Sequence, residues 1–269
     1  MSDENRGTGD GRETASTVGE VASGVRGGLA FLTRLPVGAD ERDWRRFRQF
    51  PAAFPIVGYL VGAIAAVPFL VLGSHPAAAA FAYLLALVAL VGVTHLDGVA
   101  DLGDAVAAHQ ADPAGRRAVL TDTTAGVGAV VAVALVVAGI ALAGLALAGL
   151  DPAVAVGIVI AAEVGAKLGM ATVACVGTAS HDGLGAQFTR NADRRLLLGP
   201  LLAAVPAALL TGFSPAALVA VACGPLVALA VVRWAERYLG GVNGDVFGAV
   251  NELGRVVALH VGVIAWIAW

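Results

Sequence analysis

Lysine is almost missing from this chain: Lys167 alone accompanies 16 arginines in 269 residues. Cysteine is nearly as scarce, with only Cys175 and Cys223. Both lie in apolar runs without CxxC or Cys/His spacing, which excludes a disulfide framework and a zinc site and leaves them as small hydrophobic fillers. Charged residues make up 14% and the net charge is −3. With the arginines scattered through short loops, no basic field exists to hold a nucleic acid. What fills the chain instead is Ala, Val, Leu and Gly: 58% is hydrophobic and the mean hydropathy is +0.81. Long stretches carry no charge at all, a composition that points to an all-α, polytopic integral membrane protein with the lipid bilayer as its solvent.

Residues 1–17, MSDENRGTGDGRETAST, are polar and Gly-rich and predict a disordered tail, not a signal peptide. Residues 18–36 repeat Val18, Val21, Val25, Leu29 and Leu32 at helical spacing, interrupted by Arg26 and Arg34, which predicts an amphipathic helix in the membrane interface. ERDWRRFRQF, residues 41–50, is a basic and aromatic collar suited to headgroups. Seven spans follow on the ruler of about 20 apolar residues each: 52–73, 77–96, 125–149, 153–176, 196–212, 216–234 and 246–269. The region 18–269 then reads as one membrane-embedded catalytic domain. The loops near 73–76, 150–152 and 213–215 hold no Lys or Arg, whereas 97–124, 177–195 and 235–245 hold Arg116, Arg117, Arg190, Arg194, Arg195 and Arg237. The positive-inside rule puts the N-terminus and these longer loops in the cytoplasm and the C-terminus outside. Gly58, Gly62, Gly139, Gly144, Gly157, Gly165 and Gly169 predict close helix packing.

The chemistry concentrates on the cytoplasmic side. In THLDGVADLGDA, residues 94–105, Asp97, Asp101 and Asp104 stand at i, i+4 and i+7, on one face of a helix continuing beyond the second span. Carboxylates so stacked repel unless a cation sits between them, and Mg²⁺ takes such oxygen donors. Gly98 offers close approach to a substrate phosphate, and His95 is available as ligand, base or hydrogen-bond donor. Asp122, Thr123 and Thr124 precede the third span, where they cap its N-terminus or present its N–H groups to a phosphate. ASHDGLGAQFTR, residues 179–190, makes either simple turns or, through Gly183 and Gly185, a loop closing over a ligand. Asp245, Asn251 and Glu252 line one side of the last span. Glu252 with Arg255, and Glu163 with Lys167, neutralise each other or contact substrate. Acidic groups, glycine turns and arginines on one membrane face suit divalent-cation transfer of a phosphate-bearing group.

FLTRLPVG (31–38), FPIVGYLVG (54–62), HLDGVADLGDA (95–105), DTTAGVGA (122–129), GLGAQF (183–188) and GGVNGDVFGAVNEL (240–253) resemble, in order, the motifs of the adenosylcobinamide-GDP ribazoletransferase, or cobalamin synthase, family. The resemblance covers about residues 27–258. It implies a polytopic, Mg²⁺-dependent enzyme that joins adenosylcobinamide-GDP to α-ribazole or its 5′-phosphate and releases GMP. It also implies that Asp97, Asp101 and Asp104 form the acidic core, Asp97 and Asp101 being the first choice for Mg²⁺, with Asp122 and Asp245 as further ligands or organisers. Two departures stand out. The second motif, TDTTAGVG, lacks the family's arginine, and Ser180–His181–Asp182 stands where an arginine often precedes GLG. A CDP-alcohol phosphatidyltransferase also uses a DG-led acidic motif, yet the Ala-Arg pair and later G-x-x-x-D-x-x-x-D of that pattern do not follow Asp97. A secondary transporter using Glu163, Lys167 and Glu252 as coupling groups calls for internal repeats, and none is evident.

Overall fold

The computed structural model describes residues 8–108, 115–116 and 124–269. All regular structure among them is helical, apart from one isolated bridge between Ala179 and Val242. Helix α1 (Thr8–Leu32) begins ten residues ahead of the periodic stretch at Val18 and packs on α2 (Glu41–Gln49). Asp43 ties the two together: its buried carboxylate accepts from Ser23 Oγ at 2.5 Å and from both Nε and Nη2 of Arg26, at 2.5 and 2.9 Å. The Arg26 guanidinium is the leading cause that holds Asp43 well below the usual carboxylate range, against the opposing cost of burial.

Among the described residues five stretches are long and apolar enough to cross a membrane: α3 with α4 (Ala53–Ala65, Val67–Val71), α7 (Val127–Leu147), α8 (Pro152–Val176), α11 (Ala216–Tyr238) and α12 (Gly244–Ala268). The protein is a multi-pass membrane protein. Helix α8 is its axis, with 78% of its most apolar window buried. Close backbone crossings make this possible, as the glycines predict. A Cβ on Gly58 would meet Val164 Cα at 2.8 Å, one on Gly62 would meet Ile160 Cα at 2.7 Å, and one on Gly165 would meet Ala220 O at 2.7 Å.

Two expected spans take other forms. The second is α5 (Pro76–Val91), and the chain does not continue straight into the aspartate helix. At Gly92, φ is +75°, and α6 (Thr94–Ala107) leaves at 96° to α5. Only glycine adopts that φ cheaply, so the acidic helix is a separate element lying across one end of the bundle. The fifth expected span, 196–212, is not one helix. It breaks into a 3₁₀ turn (Arg194–Leu197), α10 (Leu198–Ala204) and a second 3₁₀ turn (Val205–Leu209), with Pro200 and Pro206 removing backbone donors. These pieces still run the length of α8. The first 3₁₀ turn packs on α8, and Leu210 O would lie 3.2 Å from a Cβ on Gly157 near the start of that helix. Tyr59 Oη holds the broken stretch by accepting from Ala207 N and donating to Ala203 O, both at 2.9 Å.

Candidate active site

One end of the bundle gathers α1, α2, α6, the loop after α8, and the turn between α11 and α12. The loop and turn are stitched together: Val242 N donates to Thr178 O at 2.7 Å and Ser180 N to Val242 O at 3.0 Å. Helix α9 (Leu184–Thr189) follows, and a Cβ on Gly185 would lie 2.8 Å from Asn243 Cα. Gly185 therefore lets α9 press on the start of α12. Exposed Gly183 begins that helix, and beside it Arg190 pairs with Asp182 at 2.5 Å on the surface.

Between these elements lies a cavity of about 170 Å³. Its polar end is Thr94, His95, Asp97 and Asp245; its apolar wall includes Phe31, Phe188 and Phe247, whose rings stack in sequence at 5.8 and 5.5 Å. Asn243 caps α12 by accepting from Val246 N at 3.1 Å, and its Nδ2 donates to Asp245 Oδ2 at 2.7 Å, aiming that carboxylate. Neither Asn243 nor the three phenylalanines stood out in the sequence. The N-cap asparagine two residues before Asp245 was the available signal.

The structure gives the three aspartates of α6 different surroundings. Asp97 is exposed and lines the cavity. Asp101 is half-buried one turn on, within reach of the like charges of Asp245, Asp97 and Asp104. Asp104 points to the neighbouring helix, where Oδ2 accepts from Gly126 N at 2.7 Å and Oδ1 from Ala129 N at 2.9 Å. It thereby caps α7, the task expected of Asp122, Thr123 and Thr124. Asp122 and Thr123 lie outside the described residues. Gly98 is buried, and a Cβ there would meet Asp245 O at 2.6 Å, so its close approach is to protein backbone. That contact brings α6 against α12 and sets Asp97 beside Asp245.

Beneath the cavity four charged residues of α8 and α12, Glu163, Lys167, Glu252 and Arg255, form one network, each 2% exposed or less. Arg255 pairs with Glu252 through Nη1 and with Glu163 through Nε and Nη2. Lys167 Nζ donates to Glu163 Oε2 at 3.1 Å and to Asn251 Oδ1 at 2.8 Å. Two acids and two bases cancel, as buried charges in a membrane interior require. The network meets the cavity at His95, whose Nδ1 lies 3.1 Å from Asn251 Nδ2 and 3.7 Å from Glu252 Oε1. Lys167, Asn251 and Glu252 thus stand behind His95 and are not lining residues.

Among the described residues no three His, Cys, Asp or Glu side chains converge as a metal cage. Mg²⁺ does not need one, since one or two carboxylates suffice when waters and substrate phosphates complete its shell. Asp97 and Asp245, two carboxylates at one cavity, fit that requirement.

Comparison with known proteins supports a specific chemistry. A family model described as cobalamin-5-phosphate synthase matches residues 24–263. An adenosylcobinamide-GDP ribazoletransferase of Haloquadratum walsbyi is 44% identical over 256 residues, covering 91% of this chain and 99% of that protein. Its namesake in Halorubrum lacusprofundi is 49% identical over 262 residues, covering 91% and 98%. That of Halobacterium salinarum is 54% identical over 187 residues, covering 70% and 94%. No solved structure matches the chain significantly.

Proposed function

The chain belongs to the cobalamin-5-phosphate synthase family, and from that membership we propose that it transfers the cobinamide phosphate of adenosylcobinamide-GDP to α-ribazole or its 5′-phosphate. A ribazole hydroxyl oxygen bonds to the phosphorus on the aminopropanol arm, the bond from that phosphorus to the oxygen that leaves with GMP breaks, and the hydroxyl proton is released to water. The observation that carries this reading is the cavity where four separated motifs meet: Phe31, His95 with Asp97, Leu184 with Phe188, and Gly244 with Asp245.

At about 170 Å³ the cavity is smaller than a drug-sized pocket and suits the reacting phosphates, not a whole corrinoid. Asp97 and Asp245 hold Mg²⁺ there, with Asp101 adding charge from one turn along α6. Bound Mg²⁺ supplies neutralisation of phosphate charge, as in other phosphoryl transfers. Asp104, with both oxygens on α7, is left out of that set. Phe31, Phe188 and Phe247 shield the reacting centre from water on the other side.

The site-bearing end also carries the collar and the arginine-rich loops, so it faces the cytoplasm of a cell membrane. The chain crosses seven times, the fifth crossing being the broken stretch along α8, and the C-terminus lies outside. Membranes containing the protein, given both substrates and Mg²⁺, are expected to release GMP and form the cobalamin product. A chelator is expected to stop the release and Mg²⁺ to restore it. Asp97→Ala is expected to lose at least about 100-fold in kcat. No product from correctly folded protein defeats the assignment.

A further inference from the structure

Asn251 has three polar neighbours: Lys167 Nζ 2.8 Å from Oδ1, Glu252 Oε1 2.9 Å from Nδ2, and His95 Nδ1 3.1 Å from Nδ2. The two ends of an amide are alike in shape, so chemistry must orient them. An ammonium only donates and a carboxylate only accepts. The oxygen therefore faces Lys167 and the nitrogen faces Glu252; reversal would set NH₂ against NH₃⁺ and C=O against COO⁻ in a fully buried place. Both amide hydrogens are then spent, one on Glu252 and one on His95. His95 Nδ1 has to accept, because a hydrogen there would collide with the Asn251 N–H, and Glu252 Oε1 at 3.7 Å is too far to receive it.

An imidazole with a bare Nδ1 carries its proton on Nε2. His95 lines the cavity, its side chain is 12% exposed, and Nε2 has no hydrogen-bond partner among the described residues. We propose that His95 serves this site as a fixed Nε2–H donor to a substrate phosphate oxygen, and that Asn251 is the positioning residue that sets this tautomer. An Nε2 that bears hydrogen has no lone pair, so it neither coordinates the cation nor removes a proton. Its place beside Asp97, where charge on the non-bridging oxygens must be stabilised, matches a group that can only donate. The role toward phosphate rests on the transferase reading above, whereas the tautomer follows from the hydrogen bonds alone.

Histidine-selective ¹⁵N labelling of the full chain in nanodiscs reads the tautomer directly, His95 being assigned by the signal lost in His95→Gln. Wild type is expected to show Nε2 protonated and Nδ1 bare. Asn251→Asp, which replaces the donor by an acceptor, is expected to move the proton to Nδ1. In the GMP-release assay His95→Gln, which keeps a side-chain N–H, is expected to stay within about 10-fold of wild-type kcat, while His95→Ala falls by about 10²–10³ with KM nearly unchanged. A wild-type proton on Nδ1 overturns the proposal, as does a folded His95→Gln no better than His95→Ala. Absence of GMP from wild type would instead strike the transferase reading and leave the spectrum to judge the tautomer.

Discussion

Three aspartates at helical spacing have three different surroundings, and single substitutions test the roles proposed for them. Asp104 fills both oxygens with the Gly126 and Ala129 amides, so Asp104→Ala removes a helix cap. It is expected to cost about 1–2 kcal/mol in unfolding, with activity falling only as folded protein is lost. Asp97→Ala is the converse, leaving stability intact and chemistry lost. Equal loss of activity from folded protein in both variants would return Asp104 to the cation set. Asp43 supplies a pH signature of a different kind. Arg26 and Ser23 lower its carboxylate below the unfolded value of about 3.9. That stabilisation is complete above the unfolded value and is lost as pH falls from there toward the lower folded one. Exchange protection in α1, corrected for intrinsic rates, is expected to hold at pH 6 and to fall below about pH 4. Asp43→Asn is expected to show the unprotected behaviour already at pH 6. Unchanged protection in that variant would mean that α1 is held by apolar contacts alone.

The helices themselves were largely legible, and where they were not, the cause is long-range packing. Periodicity placed Asp97, Asp101 and Asp104 on one face of a helix, and they are on α6. What periodicity could not show is that Gly92 turns this helix through 96°, because a lone glycine after an apolar run reads equally well as packing surface. The stretch 196–212 satisfied the apolar ruler although Pro200 and Pro206 divide it, since hydropathy counts side chains and ignores missing donors. The meeting of Asn251 with His95, 156 residues apart, has no local signature at all. Gly98 tests the packing claim. Any Cβ there meets the Asp245 backbone at 2.6–2.9 Å, so Gly98→Val must push α6 off α12 and part Asp97 from Asp245. Loss of most GMP release with the helical content retained is the expected result. Full activity in Gly98→Val would mean that the two carboxylates work independently.

The described parts of the arginine-bearing connections after α8 and α11 lie at the end where the cavity lies, and this gives the broken stretch a consequence beyond its own shape. Helices α8, α11 and α12 each lead from one end of the bundle to the other. The chain leaves α8 at the cavity end and must start α11 at the opposite end, because α11 returns to the cavity turn at residues 239–243. The 194–209 pieces make that passage, with Leu198, Leu202 and Leu209 exposed along them as lipid-facing side chains are. On the proposed count of seven crossings, parity puts the termini on opposite sides. Impermeant maleimide can read this against a quiet background, since Cys175 and Cys223 are buried and burial suppresses thiolate reactivity. Ser74 and Trp269 are exposed toward the far end, and Glu41 and Asn191 are exposed at the cavity end. In intact cells, single cysteines at Ser74 and Trp269 are expected to label, and those at Glu41 and Asn191 to label only after lysis. Labelling of all four positions in the reverse order would invert the orientation and move the site outside. Trp269 sharing the protection of Glu41 would show that the 194–209 pieces dip and return, because a six-pass chain brings both ends to one face.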